Sequence, residues 1–276
     1  MILPKALFLD MDGTTLRSDH SLTPRTIRAI QSIGRVGCTV CLATGRSWES
    51  VKPFYDILEL HGPTICYNGA MVLGGSAGNS VFESKMDEAT ARFVIDAVRA
   101  SDCEMIAYRH RELIFEIRGP EIEAYSVRTK MAGKIVNFDS LHVLDFTKII
   151  VLSNQSALKH LKLLLEDQFS DEELSVTFSN SRFLELMTGK IDKDRGLLEV
   201  CAILGIDKKS ATAIGDGWND LAMLKAAGDA WIMGGAPHEL IAKFPANRIA
   251  PDADQNGAAR VIEAILRGFA ADERLP

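Results

Sequence analysis

The chain has 276 residues, 47% of them hydrophobic and 25% charged, and a formal net charge of −6. That length makes one large domain or two ordinary ones, because single cores stop growing at about 250–300 residues, and the composition is that of a globular protein whose core needs no disulfides. A net negative chain does not attract nucleic acid or an anionic membrane through its overall field, so an anionic substrate has to be drawn in by a local cluster or a metal ion.

The first stretch alternates strand and helix signals. Ala6-Leu7-Phe8-Leu9 is a short apolar run ending at Asp10, as in a parallel strand covered on both faces. Thr23-Pro24 reads as an N-cap and first helical position, opening a helix from Pro24 to Ile33 with an expected stripe of Ile27, Ile30 and Ile33. Cys38 to Ala43 is a second strand, ending at Thr44-Gly45-Arg46. Ser47 to Leu60 is helical, with Pro53 in its first turns or kinking it. Pro63 to Tyr67 is a third strand, ending at Asn68-Gly69. This repetition implies a doubly wound, Rossmann-like parallel sheet.

A turn-rich break, Gly74 to Ser80, changes the rhythm. A helix from Asp87 to Ala100 precedes a hairpin of Glu104 to Tyr108 and Leu113 to Ile117. A helix from Pro120 to Met131, a strand at Lys148 to Leu152, a helix from Ala157 to Asp167 and strands at Ser175 to Phe178 and Phe183 to Met187 follow. Short turns between adjacent strands indicate an antiparallel sheet with helices, so residues 83–185 read as an inserted α+β domain. The α/β rhythm then returns: a helix from Asp194 to Leu204, a strand at Ala211 to Ile214, a helix from Asn219 to Ala227, a strand at Ala230 to Met233 and a last helix from Gly257 to Phe269, with a loose tail. The α/β core therefore comprises residues 1–82 and 186–276.

The five cysteines are odd in number and irregularly spaced. Cys38 and Cys41 form a C-x-x-C, but no second pair or histidines stand at ligand spacing, and the pair falls in a buried strand. Core thiols kept reduced suit the cytoplasm, which is the expected location. No signal peptide is expected in Met1 to Leu9, and no apolar run reaches the roughly 18 residues of a membrane span.

Three polar clusters follow strands of the α/β core: Asp10-Met11-Asp12-Gly13-Thr14, Thr44-Gly45-Arg46 and Asp216-Gly217-Trp218-Asn219-Asp220. In an open α/β sheet the C-terminal strand ends share one crevice, so residues 10, 44 and 216 should converge. Asp10 and Asp12 stand two apart where Gly13 lets the chain turn. Like-charged carboxylates need a cation between them or a proton on one, and with Asp216 and Asp220 they form a set of hard oxygen ligands suited to Mg²⁺. Taken alone, the same residues would also serve as strand-end turns and a helix N-cap.

Four signatures taken together resemble the haloacid dehalogenase superfamily, in its Cof-type sugar-phosphatase branch with an α+β cap. They are Phe8-Leu9-Asp10-Met11-Asp12-Gly13-Thr14-Thr15-Leu16, then Leu42-Ala43-Thr44-Gly45-Arg46, then Lys193 after Phe183-Leu184-Glu185-Leu186, and Gly215-Asp216-Gly217-Trp218-Asn219-Asp220. Tyr67-Asn68-Gly69-Ala70 and Asp220-Leu221-Ala222-Met223-Leu224 also match, so the likeness spans nearly the whole chain.

The resemblance implies a Mg²⁺-dependent phosphatase acting on small phosphomonoesters, above all hexose and other sugar phosphates, through an aspartyl-phosphate. In that reading Asp10 is the nucleophile, and Asp12 donates a proton to the leaving alkoxide and later takes one from water. Thr44 and Gly45 hold phosphate oxygens, with Arg46 and Asn68 as further binding residues. Lys193 neutralises Asp10 and phosphate, and is preferred over Lys190 and Arg195 on family spacing. Asn219 contacts phosphate or orients Lys193. The metal takes Asp10, the Asp12 main-chain carbonyl and Asp216, with Asp220 supporting its waters. The inserted domain chooses the leaving group, and the partner is a small phosphorylated metabolite, with no nucleic acid or membrane and a monomer or weak homo-oligomer. A phosphosugar mutase and a non-catalytic sugar-phosphate-binding module are the alternatives. Departures from the branch pattern are Asp194, where glycine usually follows the lysine, Thr15, and Met233-Gly234-Gly235-Ala236, which lacks an asparagine. Trp218, His110, Arg128 and Lys130 are further candidates for substrate contact, with packing or solvation as the plainer reading.

Overall fold

The computed structural model describes residues 3–109, 111–129 and 132–272, with the backbone alone at 128, 129, 271 and 272. His110, Lys130, the Arg128 side chain and the tail beyond 272 lie outside the described residues. The chain divides into two units, Met1–Phe82 with Asp192–Pro276, and Glu83–Ile191.

In the first unit β1 (Ala6–Leu9) is wholly buried. A central parallel strand has a neighbour on each edge and cover on each face, which is why it reads as an unbroken apolar run. Helix α1 (Pro24–Arg35) starts where the Thr23 hydroxyl accepts the Thr26 N–H at 3.1 Å and Pro24 supplies a pre-set φ. It buries Thr26, Ala29, Ile30 and Ile33, not the expected Ile27–Ile30–Ile33 stripe, and Ile27 is only half-buried. A strict three-residue spacing drifts around a helix of 3.6 residues per turn, whereas 26, 29, 30 and 33 stay on one face. Ile30 and Ile33, almost fully buried, each contribute about 2 kcal/mol. Then come β2 (Thr39–Leu42), α2 (Trp48–Ile57) with Pro53 inside it, and β3 (Thr64–Cys66). Two strands unread in the sequence follow, β4 (Met71–Gly74) and β5 (Asn79–Glu83), which lie beside β3 in a separate three-stranded sheet.

The second unit contains α3 (Glu88–Arg99), β6 (Glu104–Arg109), β7 (Glu112–Phe115), α4 (Pro120–Thr129), β8 (Lys134–Ile135), β9 (Lys148–Leu152), α5 (Gln155–Gln168), β10 (Leu174–Asn180) and β11 (Phe183–Thr188). Its sheet runs β10-β11-β9-β6-β7-β8 and is antiparallel except for the β7–β8 pair. Alternate residues of the central strands, such as Met105, Ala107, Ile149, Val151, Leu184 and Leu186, join Val94 and Ile95 of α3 and Leu158, Leu161 and Leu165 of α5 in one core. This is the period-two pattern of a sheet with helices on one face. The unit ends at Ile191, later than the expected 185, because β11 pairs with both β9 and β10 through Met187.

The first unit resumes with α6 (Lys193–Leu204), β12 (Ala211–Gly215), α7 (Leu221–Ala226), β13 (Asp229–Met233), the short α8 (His238–Ile241), β14 (Ile249–Ala250) and α9 (Gly257–Asp272). Its main sheet is all parallel in the order β14-β13-β12-β1-β2, and a bridge from Ala43 to Ile65 extends it to β3. From β1 the chain moves outward through β2 and β3 on one side; after the insertion it moves outward through β12, β13 and β14 on the other. The order therefore reverses between β1 and β12, and the crevice of such a sheet opens at the carboxyl ends of those strands. No helix among the described residues is long and apolar enough to cross a membrane. Cys38, Cys41, Cys66 and Cys201 are buried and form no disulfide, and burial pushes the Cys38 thiol up to about 12, as core packing and not redox chemistry requires.

Candidate active site

The carboxyl ends of β1, β2 and β12 deliver Asp10, Thr44 and Asp216 to one cavity of about 260 Å³, lined also by Asp12, Gly45, Arg46, Asn68, Gly217 and Asn219. Lys193 and Asp220 stand behind that lining, both buried.

Gly13 sits at φ +79°, and a Cβ there would fall 2.3 Å from Asp216 Oδ2. Glycine thus serves twice, for the turn after β1 and for the approach of the Asp216 carboxylate. Thr14, not singled out in the sequence, donates its hydroxyl to Asp216 Oδ1 at 3.0 Å. The Thr15 hydroxyl donates to the Asp10 carbonyl at 2.6 Å.

Lys193 is 0% exposed at the first position of α6, and its Nζ lies 2.5 Å from both Asp10 Oδ1 and Asp220 Oδ1. Gly69, at φ +103°, lets the turn after β3 lie against this helix start, since a Cβ there would meet the Asp192 carbonyl at 2.0 Å. Lys190, its sequence rival, is 64% exposed and pairs with Glu172, and Arg195 pairs with Glu199. Asp194, the residue in the usual glycine position, acts on Asp192: burial first, then the hydrogen bond and charge of Asp194, push the Asp192 carboxyl up to about 6.

Asp220 is bound on both oxygens. Oδ1 accepts from Lys193, and Oδ2 accepts the backbone N–H of Asp216 at 2.9 Å and of Gly217 at 2.8 Å. It fastens the lysine to the loop after β12. One oxygen each from Asp10, Asp216 and Asp220 lies within 4.8 Å of the others. Burial, reinforced by Asp220 and Asp216, pushes the Asp10 carboxyl well up against the pull of Lys193, and burial with Asp220 raises Asp216. For Lys193 burial works downward, but Asp10 and Asp220 outweigh it and hold the ammonium up at about 12. Three carboxylates against one ammonium leave two negative charges, the balance a divalent cation would complete.

The Asp12 side chain is not part of that acidic group. Arg46 grips it in a fork, Nε to Oδ2 at 2.7 Å and a terminal nitrogen to Oδ1, and His20 Nδ1 lies 3.0 Å from Oδ1. Burial favours its neutral form, but the Arg46 bond and charge, then His20, bring its carboxyl below the usual range. Arg46, expected on phosphate, is thus engaged with Asp12, with its guanidinium 5.6 Å from the Phe54 ring centre. Thr44 is buried with its Oγ1 accepting the Arg46 N–H at 3.2 Å. Asn68, left-handed at φ 51°, accepts the Asn219 amide at 3.1 Å. Trp218 is 51% exposed and so is not packed in its loop; Lys243 Nζ lies 5.7 Å from its ring centre. Neither Gly235 nor Ala236 lines the cavity.

A family model described as haloacid dehalogenase-like hydrolase matches residues 7–262. A Buchnera aphidicola protein named as a phosphatase is 27% identical over 264 residues, covering 95% of this chain and 96% of its own. The HMP-PP phosphatase of Yersinia pseudotuberculosis is 25% identical over 253 residues, covering 92% of each chain. The crystal structure of a haloacid dehalogenase-like hydrolase from Bacteroides thetaiotaomicron superposes with a TM-score of 0.83 at 26% identity, over 95% of this chain and 99% of that one.

Proposed function

The chain belongs to the haloacid dehalogenase-like hydrolases, in their Cof-type branch, and from that premise we propose a phosphatase that cleaves small phosphomonoesters, sugar phosphates first among them, by way of an aspartyl-phosphate at Asp10. The observation that carries this reading is the pairing of Asp10 with a fully buried lysine at 2.5 Å while Asp12, two residues on, is held apart by Arg46 and His20. A binding module has no need of one carboxylate set against a cation and a second kept separate for proton work.

Asp10 Oδ attacks phosphorus and the ester P–O bond breaks. Asp12 must carry a proton when it meets the departing alkoxide, a poor leaving group without that proton, and the proton that water gives up in the second step reloads it for the next turnover. Water then attacks the phosphoryl group on Asp10 and gives its proton to Asp12, releasing phosphate and restoring the carboxylate. Thr44 and the Gly45 N–H hold non-bridging oxygens, with Asn68 and Asn219 at the cavity wall. Lys193 offsets the repulsion between an anionic nucleophile and an anionic phosphoryl group, the electrostatic work this chemistry mostly needs.

The donor set fits Mg²⁺, since hard carboxylate oxygens crowd with two charges uncompensated. Asp10, Asp216 and the Asp12 main-chain carbonyl would hold the ion. Asp220, whose oxygens are taken by Lys193 and two backbone N–H groups, would act through them. When bound, the ion neutralises charge building on the phosphoryl oxygens. Selection of the leaving group by the inserted unit, action inside the cytoplasm, and a monomer or weak homo-oligomer complete the proposal.

The test is phosphate release across a metabolite panel with Mg²⁺, wild type against Asp10→Asn. Turnover that needs Asp10 and yields free phosphate without sugar isomers supports a phosphatase. Isomer formation dependent on a bisphosphate activator would instead make it a mutase.

A further inference from the structure

We propose that His20 is a positioning residue for Asp12, completing with Arg46 a clamp that fixes where the acid/base carboxylate stands; this rests on the phosphatase reading above. Three observations converge on it. His20 Nδ1 lies 3.0 Å from Asp12 Oδ1 and 3.3 Å from an Arg46 terminal nitrogen, although the imidazole is 68% exposed. Burial does not hold the ring there; the Asp12 carboxylate does. The tautomer with its proton on Nδ1 donates to Asp12.

The backbone at His20 adopts φ +60°. For a residue with a Cβ such a conformation is strained and persists only where surroundings enforce it. The enforcement is visible. His20 N–H reaches the Arg17 carbonyl at 2.9 Å, Arg17 N–H reaches the Ser21 carbonyl at 3.0 Å, and Ser21 N–H reaches Asp19 Oδ1 at 3.0 Å.

This turn is fastened at a distance in sequence. Asp254 accepts the Ser18 N–H at 3.0 Å, the Ser18 hydroxyl at 2.8 Å and Arg17 Nε at 3.4 Å. An exposed turn held this firmly, with a strained residue at its tip, aims one side chain, and that side chain meets Asp12.

Asp12 gains from a third contact. Its side chain is 44% exposed, so packing alone does not fix it. The Arg46 fork sets the plane of the carboxylate, and His20 adds a further contact on Oδ1 from outside that fork. Proton delivery to an alkoxide is steep in position: an error of about 1 Å costs roughly 100-fold.

His20→Gly removes the imidazole and suits the left-handed backbone, so folding is spared. His20→Asn also accepts that backbone and places an amide N–H near the position of Nδ1. Values of kcat/KM with Mg²⁺ are measured for an alkyl phosphate, glucose 6-phosphate or the best of the metabolite panel, and for p-nitrophenyl phosphate, whose leaving group needs little acid help. His20→Gly is expected to lose about tenfold on the alkyl ester and about twofold on the aryl ester. His20→Asn is expected to recover the alkyl ester to within about threefold of wild type. Equal losses on both esters, a loss confined to KM, or no rescue by asparagine overturns the proposal. Wild-type activity that survives Asp10→Asn would instead overturn the phosphatase reading, so the two failures are told apart.

Discussion

Replacing Lys193 by methionine keeps most of its volume and removes its charge. Its Nζ sits 2.5 Å from one oxygen of Asp10 and of Asp220, with all three side chains at most 8% exposed. At an effective dielectric constant of about 20, each contact is worth roughly 6–7 kcal/mol of bare attraction. Most of that offsets the cost of taking three charges out of water, so the attraction is not the stability lost. The loss is set by what stays behind, two buried carboxylates without their cation, and breaking such a pair costs about 3–5 kcal/mol. For a chain of this size that lowers Tm by roughly 6–20 °C. The sign with pH follows. Burial holds the Asp10 carboxyl above its unfolded value, and losing the ammonium removes what opposed that rise, so the variant gains stability as pH falls through the folded Asp10 value. Reversible urea unfolding followed by circular dichroism at pH 7 and pH 5, without divalent ions, is the assay. We expect a deficit near 4 kcal/mol at pH 7 that shrinks at pH 5. Adding Asp10→Asn and Asp220→Asn should restore most of it, because a neutral, similarly sized set replaces the charges. A deficit under about 1 kcal/mol at pH 7, or one that grows toward pH 5, would refute the reasoning.

Gly13→Ala places a Cβ 2.3 Å from Asp216 Oδ2 at φ +79°; it should cost about 1–3 kcal/mol in thermal stability and at least tenfold in phosphate release by displacing Asp216. Chelation with EDTA should abolish turnover and added Mg²⁺ restore it, while Asp216→Asn raises the Mg²⁺ concentration for half-activity; full activity in chelator would count against the metal proposal. In the inserted unit, burial works against the charge of Asp145, but Arg109 and Lys85 prevail and hold its carboxyl down at about 2. Its contribution is therefore complete above the unfolded value near 4 and fades as pH falls toward 2. Asp145→Asn should cost about 1 kcal/mol at pH 7, solvent screening included, and nothing near pH 2, as read by urea midpoints.

Most of the site was legible because three of the four signatures each end a strand of one parallel sheet, and such strands announce themselves as apolar runs. Lys193 was separable from Lys190 by spacing, and the structure sets one in the interior and the other in solvent. What escaped was tertiary. Arg46 reads as a phosphate ligand after a strand end, but its fork finds Asp12, a partner 34 positions away in sequence. Nothing in Ser18-Asp19-His20-Ser21 beyond a turn tendency marked His20 as a neighbour of Asp12. Thr14 had a signal, a hydroxyl next to a turning glycine, but its acceptor Asp216 lies across the fold. β4 and β5 were missed because Gly74 and Gly75 punctuate the pair and Val81 is exposed, leaving no alternation to read. Cutting the insertion at 185 split β11, since Phe183 to Met187 fits either sheet by pattern alone.

The position of β1 carries a consequence for how the molecule is made. One edge of that strand is completed by β2, which leaves the ribosome early; the other is completed by β12, which emerges only after Glu83–Ile191. A growing chain therefore holds Asp10 on a half-built sheet with an open flank, while the later segment can finish its own core first. Ribosome pausing within that segment should leave the amino-terminal third sensitive to protease and prone to strand-edge association.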